Sequence, residues 1–454
     1  MRVSATGGPA VTVTTLGPQQ RSHRSPTFLP DGRRFVFYVI GGPDTTGIYL
    51  GALDGGAPTR LTPADSAGVF LPAGWLLWVR AGTLVAQRLD LARAALAGEP
   101  LTVADGAAID GNFRSAVSVT TGLVAYRTGA GTLRQLTWMD RSGTARGTIG
   151  DPDATLNEPR VSPNGRRVVV TRRVNGNEDL WLLDGARVTT RFTFDPARNK
   201  RPAWSPDGTR IAFHSDRAGP FDLYQKVTSG AGVEERLVAS EQAKGPNSWS
   251  ADGRFLLYQN QNPQTGSDLW VVPMALREPQ GLPEQGRGMV GDRTPSVFLK
   301  TPFAEAWGAF SPNGRWVAYE SNESGRYEVY IRPFVPPLVP DSVAGTAGGA
   351  AGGQWQVSTA GGIHPAWRSD GKELYYLSPA GAMMAAPITV TGATFAPFES
   401  AALFPTHILG GGVDLSQGRQ YDVAPDGRFL INTVLDSAAA PITLLQNWHP
   451  EAKK

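Results

Sequence analysis

The 454-residue chain has no cysteine, only five histidines and no long apolar run. Without cysteine there is neither a disulfide frame nor a thiolate metal site. The histidines (His23, His214, His364, His407, His449) stand singly, without the H-x-x-x-H spacing of a helix-borne zinc site. No segment approaches the roughly 18 apolar residues of a membrane-spanning helix; Val69 to Val79 comes nearest and is broken by Pro72, Ala73 and Gly74. The opening MRVSATGGPA has no apolar signal-peptide core. Charge of one sign is also scarce: 43 Lys and Arg face 40 Asp and Glu, leaving +3. The arginines are scattered along the turns, so no nucleic-acid partner is expected. Enzyme motifs are missing as well. There is no G-x-S-x-G elbow and no set of kinase loops, and Gly348 to Gly353 is not followed by the Lys-Ser/Thr of a phosphate cradle. Neither a cofactor nor a metal is expected.

What the chain has is a recurring turn. LPDG (Leu29 to Gly32), SPNG (Ser162 to Gly165), SPDG (Ser205 to Gly208), SADG (Ser250 to Gly253), SPNG (Ser311 to Gly314), RSDG (Arg368 to Gly371) and APDG (Ala424 to Gly427) each introduce an apolar, aromatic-rich run. Pro pre-sets φ at the second turn position, Asp or Asn tolerates the next bend, and Gly takes a left-handed conformation. The following runs, such as Phe35-Val36-Phe37-Tyr38, Ile211-Ala212-Phe213 and Trp316-Val317-Ala318-Tyr319, are apolar throughout. Continuous apolarity over four or five residues marks a strand covered on both faces. A third strand opens on an acid (Asp179, Asp222, Asp268, Glu328), and a more polar fourth follows, as in Glu235 to Val238. Four antiparallel strands copied many times point to an all-β fold, a β-propeller of four-stranded blades.

The run from Trp204 to Tyr224, W-S-P-D-G-x-x-I-A-F-x-S-x-R-x-G-x-x-D-L-Y, resembles the TolB-type propeller repeat. RFTFDPARNKRPAWSPDGTRIAFHSDRAGPFDLYQK, FSPNGRWVAYESNESGRYEVYIRPF and the ending PITLLQNWHPEAKK resemble the propeller region of bacterial membrane-anchored Ser/Thr protein kinases, without the kinase domain. That resemblance implies an extracytoplasmic (periplasmic or cell-envelope) sensor module. The units with recognisable turns give a complete six-bladed ring over 133–454, the segment Leu133 to Gly150 lending the outermost strand of the last blade. Residues 1–132 then hold about three further blades with a leading strand pair, Met1 to Ser4 and Val11 to Thr15. They read either as part of a second, truncated ring or as members of one nine-unit ring. Met274 to Pro302 and the Pro- then Gly/Ala-rich Pro333 to Gly353 read as surface loops.

Comparing copies separates what the fold fixes from what it leaves free. Three places before the turn Asp or Asn, every complete copy is apolar (Val161, Trp204, Trp249, Phe310, Trp367, Val423), as blade-to-blade packing requires. Six places before it the copies share nothing: Glu158, Arg201, Pro246, Trp307, His364, Gln420. This mixed set enters the innermost strands and is expected to ring the mouth of the central channel, making Glu158, Arg201, Trp307, His364 and Gln420 the candidate ligand-binding residues. The repeated third-strand acids are expected to accept backbone hydrogen bonds instead of binding cations. The expected function is a non-catalytic recognition or sensor module for a protein, peptide or envelope ligand. The alternatives are a lactonase- or hydrolase-like propeller enzyme with a channel metal and a blade-edge scaffold.

Overall fold

A computed structural model describes residues 1–42, 44–110, 113–129, 132–174, 177–185, 188–230, 232–274, 293–337, 353–391, 394–396, 398–412, 418–435 and 441–448. Among these there is no helix, and so none long and apolar enough to cross a membrane. The turns close as their composition requires, each Gly lying at a φ between 63° and 85°. In four of them the leading Ser is the organiser. Ser205 Oγ donates to Asp207 Oδ1 at 2.6 Å and accepts the Arg210 N–H at 2.9 Å, and Ser162, Ser250 and Ser311 repeat the pattern. A Cβ on Gly208, at φ 69°, would be strained by about 1–2 kcal/mol.

The chain divides into two compact units, 1–133 with 436–454, and 134–435. In the larger unit the described residues form six four-stranded sheets. The first five have innermost strands Asn157–Val161, Asn199–Trp204, Lys244–Trp249, Glu305–Phe310 and Ile363–Trp367, and each adds three strands outward. The sixth is made from both ends of the unit. Tyr421–Val423 and Phe429–Val434 are its inner strands, Arg134–Met139 and Ala145–Asp153 its outer ones. Each innermost strand neighbours the next, and the sixth neighbours the first. The turns follow the same circuit: Pro163 stands over Gly208, Pro206 over Gly253, Pro312 over Gly371, and Pro425 over Gly165.

Apolar layers fill the spaces between sheets. Val169, Leu180, Trp204, Ile211 and Phe213 pack the first sheet on the second, and Leu136, Leu430, Val161 and Val168 pack the sixth on the first. The uniform position three before the turn does more than pack. Trp204 Nε1 donates to the Arg160 carbonyl, Trp249 Nε1 to that of Ala203 and Trp367 Nε1 to that of Ala309, each in the preceding sheet, at 3.0–3.2 Å. Truncating buried Trp204 to Ala therefore costs about 3–5 kcal/mol from packing alone.

The third-strand acids are clamps. Asp179 accepts Arg191, Thr193 and, from the second sheet, Asn199. Asp222 accepts Arg236 and, from the third sheet, Lys244 Nζ at 2.7 Å. Glu328 accepts Ser358 Oγ and the Gly361 N–H just before the fifth sheet. Asp179, Asp222 and Glu328 thus fasten their own outer strand and the next sheet's approach, mostly through side-chain donors where backbone N–H groups were expected, while Asp268 accepts Asn262 and Thr265 within its own sheet.

In the smaller unit the described residues form two four-stranded sheets, Gln20 to Thr62 and Val69 to Asp105, and a three-stranded one. The third sheet pairs Val117–Thr120 and Leu123–Arg127 with Ile442–Gln446 from the far end of the chain. This corrects the expected boundary at the C-terminus: the tail placed with 133–454 lies with the first 133 residues. Leu123–Arg127 lies in the smaller unit and Arg134–Met139 in the larger. The leading strand pair shrinks to an isolated bridge between Arg2 and Val11. Of the two expected surface loops, 275–292 and 338–352 lie outside the described residues, as does His449. The described end of the first of these loops forms Ser296–Leu299, the outermost strand of the third sheet.

Candidate functional site

In each of the first five sheets of the larger unit, the innermost strand slips register against the second at one place, between residues 157/160, 200/203, 246/248, 306/309 and 363/366. In the third, Pro246 is the paired residue that flanks the bulge; in the other four the bulge contains the variable position six before the turn. Glu158, Arg201, Trp307 and His364 sit there at φ of 51–56°, a conformation normally left to Gly, at about 1–2 kcal/mol each. Three of the four precede a Pro, which removes the following N–H from the ladder.

The structure brings the candidate residues together, burying four of them and leaving Arg201 half-buried. Glu158 Oε2 accepts the Arg201 backbone N–H at 2.9 Å and the Thr171 hydroxyl at 2.9 Å. Arg201 stacks its guanidinium 4.6 Å from the Trp307 ring, reaching from the second sheet to the fourth. It can cross because the third sheet presents Gly245, where a Cβ would come within 2.8 Å of Arg201 Nη1. Trp307 meets the His364 imidazole edge-on at 4.7 Å, and the His364 carbonyl accepts Tyr421 Oη at 2.6 Å. Gln420 joins from the sixth sheet through Asn157 and Asn432. The expectation of an open rim is corrected: Glu158, Trp307, His364 and Gln420 are 1–7% exposed. Mounted on the bulges, these side chains contact one another across neighbouring sheets in place of solvent.

A second ring escaped the sequence reading. Seven places after the turn Asp or Asn (six in the last copy) lie Thr171, His214, Gln259, Glu320, Leu377 and Asn432, all buried. The apolar runs stop one residue short of this ring, and a polar residue in that place in five of six copies was the available signal. Glu320 Oε2 accepts the His364 backbone N–H at 2.7 Å, and His214 Nδ1 pairs with the Lys244 carbonyl at 2.9 Å. Burial pushes the Glu320 carboxyl up to about 8, against the opposing pull of that N–H bond and of Arg201. Burial, reinforced by nearby arginines, holds His214 and His364 well below the ordinary imidazole value. Glu320 Oε1, His214 Nε2 and both His364 ring nitrogens have no hydrogen-bond partner. No group of three or more His, Asp or Glu is placed to hold a metal among the described residues.

Where the turns converge, a cavity of about 260 Å³ opens, lined by residues from five of the six sheets. Trp204, Trp249, Trp367, Pro163, Pro206 and Pro425 make its apolar walls, and Arg160, Asn247, Arg419 and Asp422 supply polar groups.

Residues 115–279 match the family model described as the TolB beta propeller domain. The chain is similar to the uncharacterized peptidase YuxL of Bacillus subtilis (strain 168), with 27% identity over 216 residues, 39% of this chain and 32% of that one. It is 33% identical over 127 residues to the Tol-Pal system protein TolB of Anaeromyxobacter sp. (strain K), covering 27% of this chain and 28% of the relative. The chain thus spans about a third of the length of the curated relatives it matches. Among solved structures, a putative TolB from Agrobacterium tumefaciens aligns at 16% identity with a TM-score of 0.49, over 68% of this chain and all of that one. The chain is all-β and carries a TolB-like β-propeller.

Proposed function

We propose that this TolB-like chain is a non-catalytic recognition module that captures a protein or peptide at the turn-side opening of its larger unit. The observation that carries the reading is the cavity of about 260 Å³ between the turns, walled by three tryptophans and three prolines over a polar floor. Such a mixture of indole faces and guanidinium groups is what binding hot spots are made of. The buried Glu158, Trp307, His364 and Gln420, with half-buried Arg201, stiffen the channel beneath, and a ligand that enters deeply would meet the unpaired His364 and Glu320 atoms. The resemblance to membrane-anchored Ser/Thr kinases, with the similarity to a protein of the Tol-Pal system, supports a cell-envelope location and a role as the sensing part of a kinase-type receptor.

The test compares capture by the purified chain with capture by a Ser369→Trp variant, in which an indole obstructs the opening from an exposed turn position. Proteins from bacterial envelope fractions should be retained by the first and lost by the second, at equal melting temperature, and cytosolic extract should yield none. Capture unaffected by Ser369→Trp overturns the location of the site. Turnover of a lactone, peptide or phosphoester by pure protein overturns the non-catalytic reading.

A further inference from the structure

The floor of the turn-side cavity is electrically one-sided. Arg160, on the innermost strand of the first sheet, is 7% exposed, and no carboxylate lies within ion-pair distance of it among the described residues. Its Nη1 donates to the carbonyls of Pro159 at 2.7 Å and Arg419 at 3.3 Å, while its Nε is buried without a partner. Two more donors on the same cavity share that condition: Arg419 Nε from the sixth sheet and Asn247 Nδ2 from the third. Asn247 Oδ1 is engaged by the Gln259 N–H, so the free amide hydrogens belong to the cavity side of the group.

The acceptors on this floor are already used. Asp422 Oδ1 takes the Arg419 Nη2 at 2.8 Å and Oδ2 takes the Val161 N–H at 2.8 Å. Arg419 is thereby paired, whereas Arg160 is drawn to Asp422 and Glu158 only from beyond ion-pair distance and holds no carboxylate directly. A buried guanidinium that has lost water without gaining an anion is destabilising where it stands. Its environment registers this: burial, with the neighbouring Arg419, lowers the Arg160 pKa to about 9 against the opposing pull of Asp422 and Glu158. Three unpaired donors, no unpaired buried side-chain acceptor among the described lining residues and a buried guanidinium without a direct carboxylate partner match an oxyanion as the missing partner.

We propose that Arg160, Asn247 and Arg419 form an anion site for a carboxylate group, presented into the cavity by the end or an acidic side chain of an extended peptide. The inference rests on the reading of this opening as a recognition site and names the ligand chemistry there. A carboxylate fits the donor set because a guanidinium offers it a fixed fork and the Asn amide a lateral N–H. The peptide source is favoured over a free ion by the walls: the indoles of Trp204 and Trp249 and the rings of Pro163, Pro206 and Pro425 suit a flanking apolar chain.

The experiment titrates the full-length chain with acetate, with short Ala-Pro peptides bearing a free C-terminal carboxylate, and with their amidated twins, at constant ionic strength. Acetate should saturate and raise the melting temperature of the larger unit by ~2–4 °C at about ten times its Kd. The free-acid peptides should bind at least tenfold more tightly than acetate, and amidation should remove that gain. Arg160→Met should abolish the response while leaving the anion-free melting temperature equal or higher, because it removes a buried charge that has no direct ion-pair partner. Asn247→Leu should weaken binding severalfold and serves as the second variant if Arg160→Met does not fold. No saturable effect of acetate or the free-acid peptides overturns the site, as does an undiminished response in Arg160→Met. Acetate binding without a peptide advantage overturns the peptide source. Envelope capture that still depends on Ser369 in the absence of any anion response leaves the recognition reading standing and removes only the carboxylate; the reverse pattern removes the reading and keeps the anion site.

Discussion

The two units bury very different interiors from one strand pattern. Among the described residues of the smaller unit, the buried side chains that carry polar groups are hydroxyl-bearing Thr62, Ser66, Tyr38 and Tyr49 and the indoles of Trp75 and Trp78, and no Asp, Glu, His, Lys or Arg is among the buried residues. The larger unit buries Glu158, Arg160, His214, Glu320 and His364 around its axis, besides the acids that clamp its sheets. The bulge is common to both. Ser25, six places before the Asp31 turn and followed by Pro26, lies at φ 49°, matching Glu158, Arg201, Trp307 and His364. Seven places after that turn the smaller unit has Tyr38, whose hydroxyl donates to the Ala64 carbonyl, where the larger unit has Glu320 or His214. The bulge is therefore architecture, and the charged groups mounted on and beneath it are not. Buried ionisable groups that the repeat itself does not require are enriched at functional sites.

Breaking the larger unit tests the first half of that comparison with the largest effect. Its sixth sheet takes two strands from each end, and Arg134–Met139 pairs along its whole length with Phe429–Val434. A chain of residues 134–435 should unfold in one cooperative urea transition. A chain of 157–435 lacks the two outer strands and leaves Phe429–Val434 as a bare apolar edge, so it should lose cooperativity and aggregate. Cooperative unfolding of 157–435 at an unchanged midpoint would mean the ends do not close the unit.

The buried charge itself is tested next. The Glu320 carboxyl has an ordinary value of 4.5 and is raised to about 8 in the folded protein. Between these values the unfolded chain is ionised while the folded one holds its proton, so each rise in pH favours unfolding, and the penalty is complete above about 8. Glu320→Gln keeps a neutral acceptor for the His364 N–H and removes the titration. Wild-type melting temperature should fall from pH 6.5 to 8.5, the variant's should stay nearly flat, and the variant should be a few degrees more stable at pH 8.5. The window starts at 6.5 because His214 and His364, held neutral by burial, withdraw stability only as pH drops below that value. Equal pH slopes in the two proteins would place the Glu320 ionisation in the ordinary carboxylate range.

The sequence made the turns, the covered second strands and the variable position legible, because each is a local chemical requirement: Gly for positive φ, apolar residues for two buried faces, no rule where the fold imposes none. Two things were not legible. The first is pairing between distant segments. Nothing local in ITLLQ at 442–446, alternately exposed and half-buried, distinguishes a partner at Leu123 from one at Leu136, and the tail went to the wrong unit. Leu133 to Gly150 was likewise expected to lend one strand and lends two. The second is backbone handedness at the bulge. Glu, Arg, Trp and His carry no signal for left-handed φ, and a following Pro argues for extended backbone, so side chains that read as an open rim turned inward and became buried. With them went the ring at Thr171, His214, Gln259 and Glu320, hidden at the end of runs read only for their apolar residues.

The smallest effect belongs to the charges that the smaller unit does have. Arg33 and Asp54 pair at 3.0 Å with 74% and 59% of their side chains exposed, whereas Lys244 and Asp222 in the larger unit pair at 2.7 Å with 1% and 0%. In water-like surroundings the attraction between Arg33 and Asp54 is nearly offset by the entropy of holding two long side chains and by salt screening, leaving at most a few tenths of a kcal/mol. Arg33 is also the basic residue that follows the turn Gly, a position filled by Arg or Lys in all but one copy. Its backbone N–H, not its side chain, holds Asp31 Oδ1 at 3.0 Å, so the turn survives the loss of the guanidinium. Arg33→Ala should therefore shift the melting temperature by no more than about 1 °C, with no difference between low and high salt. A drop of several degrees that salt reproduces in the wild type would show the smaller unit held together by surface charge, and the contrast between a neutral interior and a charged one would no longer separate the two units.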